Sequence, residues 1–219
     1  MTRATNARLA GFSFLFYIAV AFPAMTLMNR AAAGDGVAAK LAGIAQHTGD
    51  VRLAIVLSLL GSLSALVLGV TLYVITRDQD PDVAMLGMMC RVGEGVIGAV
   101  GTTSTLGLLW LATNSGIDAA DSAAMRVLGG FLLSDSPFVS ATFFAVGSTL
   151  FSWLLLRGRM IPVALAWLGV VASLLLVVGL PLQLAGVLGG PGAQALWLPM
   201  AAFEIPLGVW LLIKGVATP

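Results

Sequence analysis

Apolar residues fill this chain in blocks of about 20, the length that crosses a hydrocarbon layer roughly 30 Å thick. Charged residues gather in the gaps between the blocks. Six blocks are predicted as membrane-spanning helices, at about 9–28, 52–76, 83–113, 134–156, 162–187 and 195–214. The expected fold is all-α: a polytopic membrane helix bundle, one domain over 1–219, with a broken or re-entrant segment before the fourth span.

The first block, "LAGFSFLFYIAVAFPAMTLM", follows Arg3 and Arg8. Its apolar run exceeds the roughly 7–15 residues of a signal-peptide core, so it is expected to stay as a helix, kinked at Pro23. The third block would be about 46 Å long as one helix, so it must tilt, bend or protrude. Residues 119–133, "AADSAAMRVLGGFLL", read as an amphipathic or re-entrant piece that meets the fourth span at "SDSP". Pro137 disfavours helical geometry at Ser136, and Pro181 is expected to break the fifth span. The loop 29–50 is Ala/Gly-rich, with a short helix expected around 37–47. No internal repeat is visible, so an inverted-repeat transporter design has no support from the sequence.

Composition agrees with the pattern. Of 219 residues, 59% are hydrophobic and 10% charged, against roughly 25% charged in soluble domains. A net charge of +1 gives no basic surface for nucleic acid. A single cysteine, Cys90, excludes an intramolecular disulfide framework and any CxxC site. The lone histidine, His47, makes a His-ligated metal or haem unexpected; it is read as a solvated or capping residue, and no cofactor is expected.

Orientation follows from Lys and Arg in the short connections. With the N-terminus inside, Arg3, Arg8, Arg77, Arg157, Arg159 and Lys214 lie on the inner side, against Arg30, Lys40, Arg52 and Arg126 outside. Both termini are therefore expected in the cytoplasm. Trp110 and Trp197 fall near outer ends, and Trp153, Trp167 and Trp210 near inner ends, where indoles favour the headgroup level.

Against this background "MMCRVGEGVIGAV", residues 88–100, stands out. Arg91 and Glu94 are three apart, so on a helix they share a face and can pair. Glu94 lies about 16 Å into the membrane by helical rise. Glu204, in "PMAAFEIPLGVW", is also near mid-span. Each such residue costs roughly 2.5–3.5 kcal/mol at a helix centre, so all three are expected to face inward. One arginine against two glutamates leaves a surplus negative charge, which should attract a proton, a cation or a polar ligand. Tyr17, mid-span in the first helix, is expected to hydrogen-bond inside the bundle. Asp135 and Gln183 lie nearer the outer side and are candidates to line an entrance. The bland reading is a clamp, in which Arg91, Glu94 and Glu204 only fasten the third span to the sixth.

Weaker signals fit packing. Gly93, Gly95, Gly98 and Gly101, and Gly61 with Ser62 and Gly69, permit close helix approach. No GK[ST] follows the glycines, so a phosphate loop is not expected. Thr102, Thr103, Ser104 and Thr105 suit hydrogen bonds to backbone or neighbouring helices, or a polar pocket wall. Cys90 reads as a small core residue, with no base near it.

Several stretches together resemble a bacterial membrane family known as domain of unknown function DUF4386. They are "RLAGFSFLFYIAVA", "AGDGVAAKLAG…GDVRLAIV", "CRVGEGVIGAV", "FFAVGSTLFSWLLLRGRMIPVALAWLGVVASLLLVVG" and "AFEIPLGVWLLIKGV". The resemblance covers nearly the whole chain. It implies a six-span protein of the bacterial inner membrane, with Arg91, Glu94 and Glu204 on the family's recurrent polar positions, and it implies no activity. At the start of the fourth span, where the family pattern has aromatic or histidine residues, this chain reads "LLSDSPFVS", which puts in doubt any function resting on a ring there.

Three functions compete. In the first, a binding or transport module holds a small lipophilic or cationic ligand, with Arg91, Glu94, Glu204, Tyr17, Asp135 and Gln183 as ligand-binding residues. In the second, a membrane enzyme performs acid–base chemistry on a lipid or isoprenoid, with Glu94, Glu204 and Asp135 as catalytic candidates. In the third, the chain is a structural or accessory subunit. Membrane lipids are expected partners in each, and homo-oligomerisation through the glycine-rich faces stays open.

Overall fold

A computed structural model describes residues 2–114, 123–134 and 137–217. Among them the chain is all-helical: α1 (Arg3–Ala31), α2 (Gly36–Gln46), α3 (Thr48–Thr76), α4 (Pro81–Asn114), α5 (Ala123–Leu133), α6 (Phe138–Arg157), α7 (Val163–Leu184), α8 (Gly190–Ala195) and α9 (Leu198–Ile213). Six stretches are long and apolar enough to cross a membrane: Arg3–Ala31, Thr48–Thr76, Pro81–Asn114, Ala123–Arg157, Val163–Leu184 and Gly192–Ile213. This is a multi-pass membrane protein with the six spans predicted.

The chain divides into two compact units, Met1–Tyr17 with Leu63–Val96 and Phe138–Pro219, and Ile18–Ser62 with Ile97–Pro137. The core of the first unit is a continuous apolar cluster that includes Phe14, Leu68, Leu72, Phe144, Phe151, Leu154, Leu176, Phe203 and Leu207. Small residues bring its helices close. A Cβ at Gly11 of α1 would stand 2.5 Å from the Leu212 backbone nitrogen of α9, so only glycine permits that crossing. At the α3–α4 connection, the Asp80 carboxylate accepts a hydrogen bond from the Val83 N–H at 3.1 Å, with Pro81 opening the helix. The same carboxylate meets Arg157 of α6 at 3.3 Å. The "RGR" turn between α6 and α7 is tight because Arg159 takes a left-handed conformation, φ 47°.

The second unit has its own core, with Leu41 and Ile44 of α2 packed among Val51, Ile55, Leu108 and Leu111. His47 caps α2, its Nδ1–H donating to the Gly43 carbonyl at 2.9 Å. Gly129 of α5 sits against Val37 and Leu41, while Val127 and Phe131 face outward. Before the fourth span the described residues thus form a short helix with apolar side chains on its outward face. It stops at Leu133, where the Ser134 hydroxyl and N–H bond back to Phe131 and Gly130.

One proline expectation needs correction. Pro181 does not break the fifth span, since α7 continues to Leu184; Pro23 lies inside α1, which runs on to Ala31. A membrane helix tolerates the missing N–H where neighbouring groups re-satisfy the freed carbonyl. Trp110, Trp153 and Trp167 are about half exposed near helix ends, as residues at a headgroup belt would be.

Candidate functional site

The charged residues singled out from the sequence converge within the first unit. Arg91 of α4 is 1% exposed, Glu94 4% and Glu204 of α9 6%, the burial of core leucines. Helical spacing sets the first contact: three positions apart on α4, the Arg91 Nη1 donates to Glu94 Oε2 at 2.7 Å. Packing of α9 sets the second. Glu204 Oε1 stands 3.9 Å from Arg91 Nη2, close enough for charge attraction but too far for a hydrogen bond.

The guanidinium is also caged by rings. Its Cζ lies 4.9 Å from the Phe144 centroid of α6 and 5.7 Å from that of Phe14 on α1. Arginine can occupy so crowded a position because the helices beside it carry glycine. A Cβ at Gly69 of α3 would come within 3.1 Å of the Arg91 Cβ. One at Gly147 of α6 would lie 3.4 Å from the Arg91 Cδ and 3.1 Å from the Cys90 Cβ. Cys90 is accordingly a buried packing residue. Tyr17 of α1 is half-buried beside the cluster, its phenol close enough to Glu94 to bear on the carboxylate.

Three polar atoms of this cluster are buried with no hydrogen-bond partner: Arg91 Nε, Glu94 Oε1 and Glu204 Oε1. A desolvated charged group without partners costs several kcal/mol, so such atoms mark where a proton, ion or water belongs. On the Arg91 side there is a cavity of about 10 Å³, lined by Arg91, Ser148, Ser152, Phe14, Leu72, Phe151, Leu155, Phe203 and Leu207. That is room for about one water molecule.

The remaining candidates lie elsewhere. Gln183 donates from its amide to the Ala193 carbonyl at 3.5 Å, joining the end of α7 to α8 rather than the charged cluster. Asp135 lies outside the described residues. Thr102 and Thr103 bond back to Ala99 and Val100 carbonyls of their own helix, both at 2.7 Å, which fits the packing reading. Gly93 packs under the Phe143 ring and Gly98 faces the Ser62 hydroxyl, so both serve close approach inside the chain.

The sequence reading missed Phe14, Phe144, Ser148 and Ser152. The two phenylalanines carry no signal among so many apolar residues. The serines do carry one: they are four apart in "GSTLFS", on one face of α6 and next to Gly147.

The family model described as domain of unknown function DUF4386 matches residues 9–215. No curated protein and no solved structure matches the chain.

Proposed function

This chain belongs to the DUF4386 family, and from that premise we propose that it is a membrane-embedded binding protein whose ligand is a proton or a small cation, held between two carboxylates. One observation carries the reading: Glu94 and Glu204 both keep a buried oxygen without a hydrogen-bond partner, around one arginine. Arg91 balances one carboxylate. The other leaves a negative charge in a region of low dielectric, where neutralisation by a bound cation or proton is strongly favoured.

The cavity beside Arg91, which neither glutamate lines, admits only the smallest guests. A space of about 10 Å³ accepts a water-sized guest, whereas a lipophilic molecule would have to push Phe14 or Phe203 aside. The clamp reading keeps one specific observation, the engagement of Arg91 by groups from α1, α4, α6 and α9. The positive-inside distribution supports placing both termini in the cytoplasm of a bacterial inner membrane, which a C-terminal reporter that fluoresces only in the cytoplasm tests.

The experiment is a titration of the purified protein in lipid nanodiscs, with protonated carboxyl groups followed by infrared difference spectroscopy and sodium or potassium binding by calorimetry. The expected result is a carboxyl signal or a cation-binding heat that Glu94→Gln and Glu204→Gln each diminish while the protein stays folded. Variants indistinguishable from the parent in both measurements would overturn the proposal. Loss of folding in both glutamine variants would instead favour the clamp.

A further inference from the structure

At the end of the first unit where α1 begins and α9 stops, the cations are of two kinds. Arg157 pairs with Asp80 at 3.3 Å, and Arg3 and Arg77 stand 3.9 and 4.0 Å from Asp78. Arg8, Arg159 and Lys214 are exposed, and none of them meets a carboxylate among the described residues. The fold gathers these three. Gly215, with φ 72°, turns the chain at the end of α9, where its N–H donates to the Leu211 carbonyl at 3.1 Å. A Cβ on Gly215 would lie 3.9 Å from that of Ala7, the neighbour of Arg8. Two residues on, the Ala217 N–H donates at 3.0 Å to the carbonyl of Met160, the neighbour of Arg159. Three positive charges without counterparts thus share one corner of the unit.

From that corner a groove of about 420 Å³ runs along the outer face of α9, within the roughly 300–1,000 Å³ of sites that hold small molecules. Ile205, Pro206, Val209, Trp210 and Ile213 form its apolar walls, and Lys214 completes them at the corner with its methylene stem. Pro206, Val209, Trp210 and Ile213 recur at helical spacing, so the groove follows one stripe of the helix for about 10 Å. The other face of α9, with Glu204, Leu207 and Leu211, is buried in the bundle. The groove lies on a membrane-spanning stretch, where hydrocarbon and not water meets it. We propose that this corner binds one anionic phospholipid, its phosphate among Arg8, Arg159 and Lys214 and an acyl chain in the groove of α9. The phosphodiester supplies the negative charge that the corner lacks, as basic pockets at the ends of membrane helices do for anionic headgroups. Its chain then runs toward mid-membrane from a headgroup held at Lys214. Trp210 suits the boundary, with a ring for the chain and an N–H to donate to an ester or phosphate oxygen. The unpaired cations and the groove are separate observations that meet at Lys214, and neither depends on the carboxylate site.

Trp210 itself reports on the site. The full chain is reconstituted at low salt in phosphatidylcholine vesicles, and tryptophan quenching by added phosphatidylglycerol with brominated acyl chains is compared with quenching by brominated phosphatidylcholine. The part of the quenching that disappears in Trp210→Phe belongs to the groove. That part should show a preference for phosphatidylglycerol of roughly tenfold or more. Arg8→Gln with Lys214→Gln, both at exposed positions, should remove most of the preference, at roughly fivefold per cation. Arg157→Gln, whose charge Asp80 already balances, should leave it within about twofold. Equal quenching by the two lipids, or quenching that Trp210→Phe does not alter, overturns the proposal. An Arg157→Gln effect as large as that of the double variant also overturns it, since a diffuse positive field and not a site would then be at work. Competition by soluble glycerol phosphate at equal concentration would assign the corner to a free phosphate ester and sink the lipid reading.

Discussion

Replacing Arg91 by methionine removes the one positive charge of the cluster and keeps an apolar stem of similar reach. Four contacts go with it: the 2.7 Å hydrogen bond to Glu94, the 3.9 Å approach to Glu204 and the two ring contacts at 4.9 and 5.7 Å. Taken singly, a hydrogen bond between charged groups is worth about 1.5–3 kcal/mol and a desolvated cation–π contact about 2. They share one guanidinium and do not add. The governing quantity is the cost of leaving buried carboxylates unmatched, about 3–5 kcal/mol when one partner of a buried pair is removed. Arg91→Met should therefore lower stability by about 3–5 kcal/mol, read from reversible unfolding in mixed micelles of increasing denaturing-detergent fraction. The companion is the triple variant Arg91→Met, Glu94→Gln, Glu204→Gln, which carries no unmatched charge and should recover at least half of that loss. A single variant as stable as the parent would mean that the guanidinium is not engaged as described. A triple variant no better than the single one would assign the loss to packing of the arginine stem and sink the electrostatic argument.

Further consequences follow from the same geometry. Glu94→Gln should cost more stability than Glu204→Gln, because only Glu94 accepts a hydrogen bond from Arg91; micellar unfolding of the two variants checks the order, and the reverse order contradicts it. Gly147→Val should lose about 1–3 kcal/mol by overpacking against Cys90 and Arg91, whereas Gly101→Ala, with nothing within 4 Å, should be neutral or better. Leu154→Ala, in the fully buried core of the first unit, should cost about 2–5 kcal/mol in the same assay. Arg157→Ala should change stability by no more than about 1 kcal/mol, and by less as salt is raised, since the Asp80 pair is largely exposed.

Much of the fold was legible because the membrane imposes a length and a composition on each span. α3 and α4 fall within a few residues of the expected 52–76 and 83–113. The Arg91–Glu94 pair was legible for a local reason, since three-residue spacing fixes relative position on any helix. Glu204 needed more. Its cost in lipid argued that it faces inward, but only the packing of α9 decides that it lies near Arg91 and not hydrogen-bonded to it. Phe14 and Phe144 were invisible because an apolar residue looks the same whether it faces lipid, core or a guanidinium. Pro181 misled because its missing N–H argues for a break, while the tertiary setting of a membrane helix absorbs it. Depth along a span says nothing about azimuth, so the turn of the Gln183 amide toward Ala193 was not legible.

The stoichiometry of the cluster argues against pure fastening. A clamp between two helices is complete with one arginine and one carboxylate, and here that pair is supplied within α4 alone, by residues three apart. That ion pair lies within one helix, and Arg91 reaches α1 and α6 only through the rings of Phe14 and Phe144. The group that joins α9 to α4 is Glu204, and it makes the poorer contact, 3.9 Å with no hydrogen bond. A carboxylate selected for adhesion would be expected within hydrogen-bonding distance of the guanidinium, where the gain offsets its desolvation. A carboxylate held near a fixed positive charge but not bonded to it is suited instead to exchange its own partner, a proton or a cation, without disturbing the arginine. On this reasoning Arg91 and Glu94 form the fixed part of the site and Glu204 the working part. Glu204→Gln should then abolish uptake while sparing the fold, a separation that no clamp would produce.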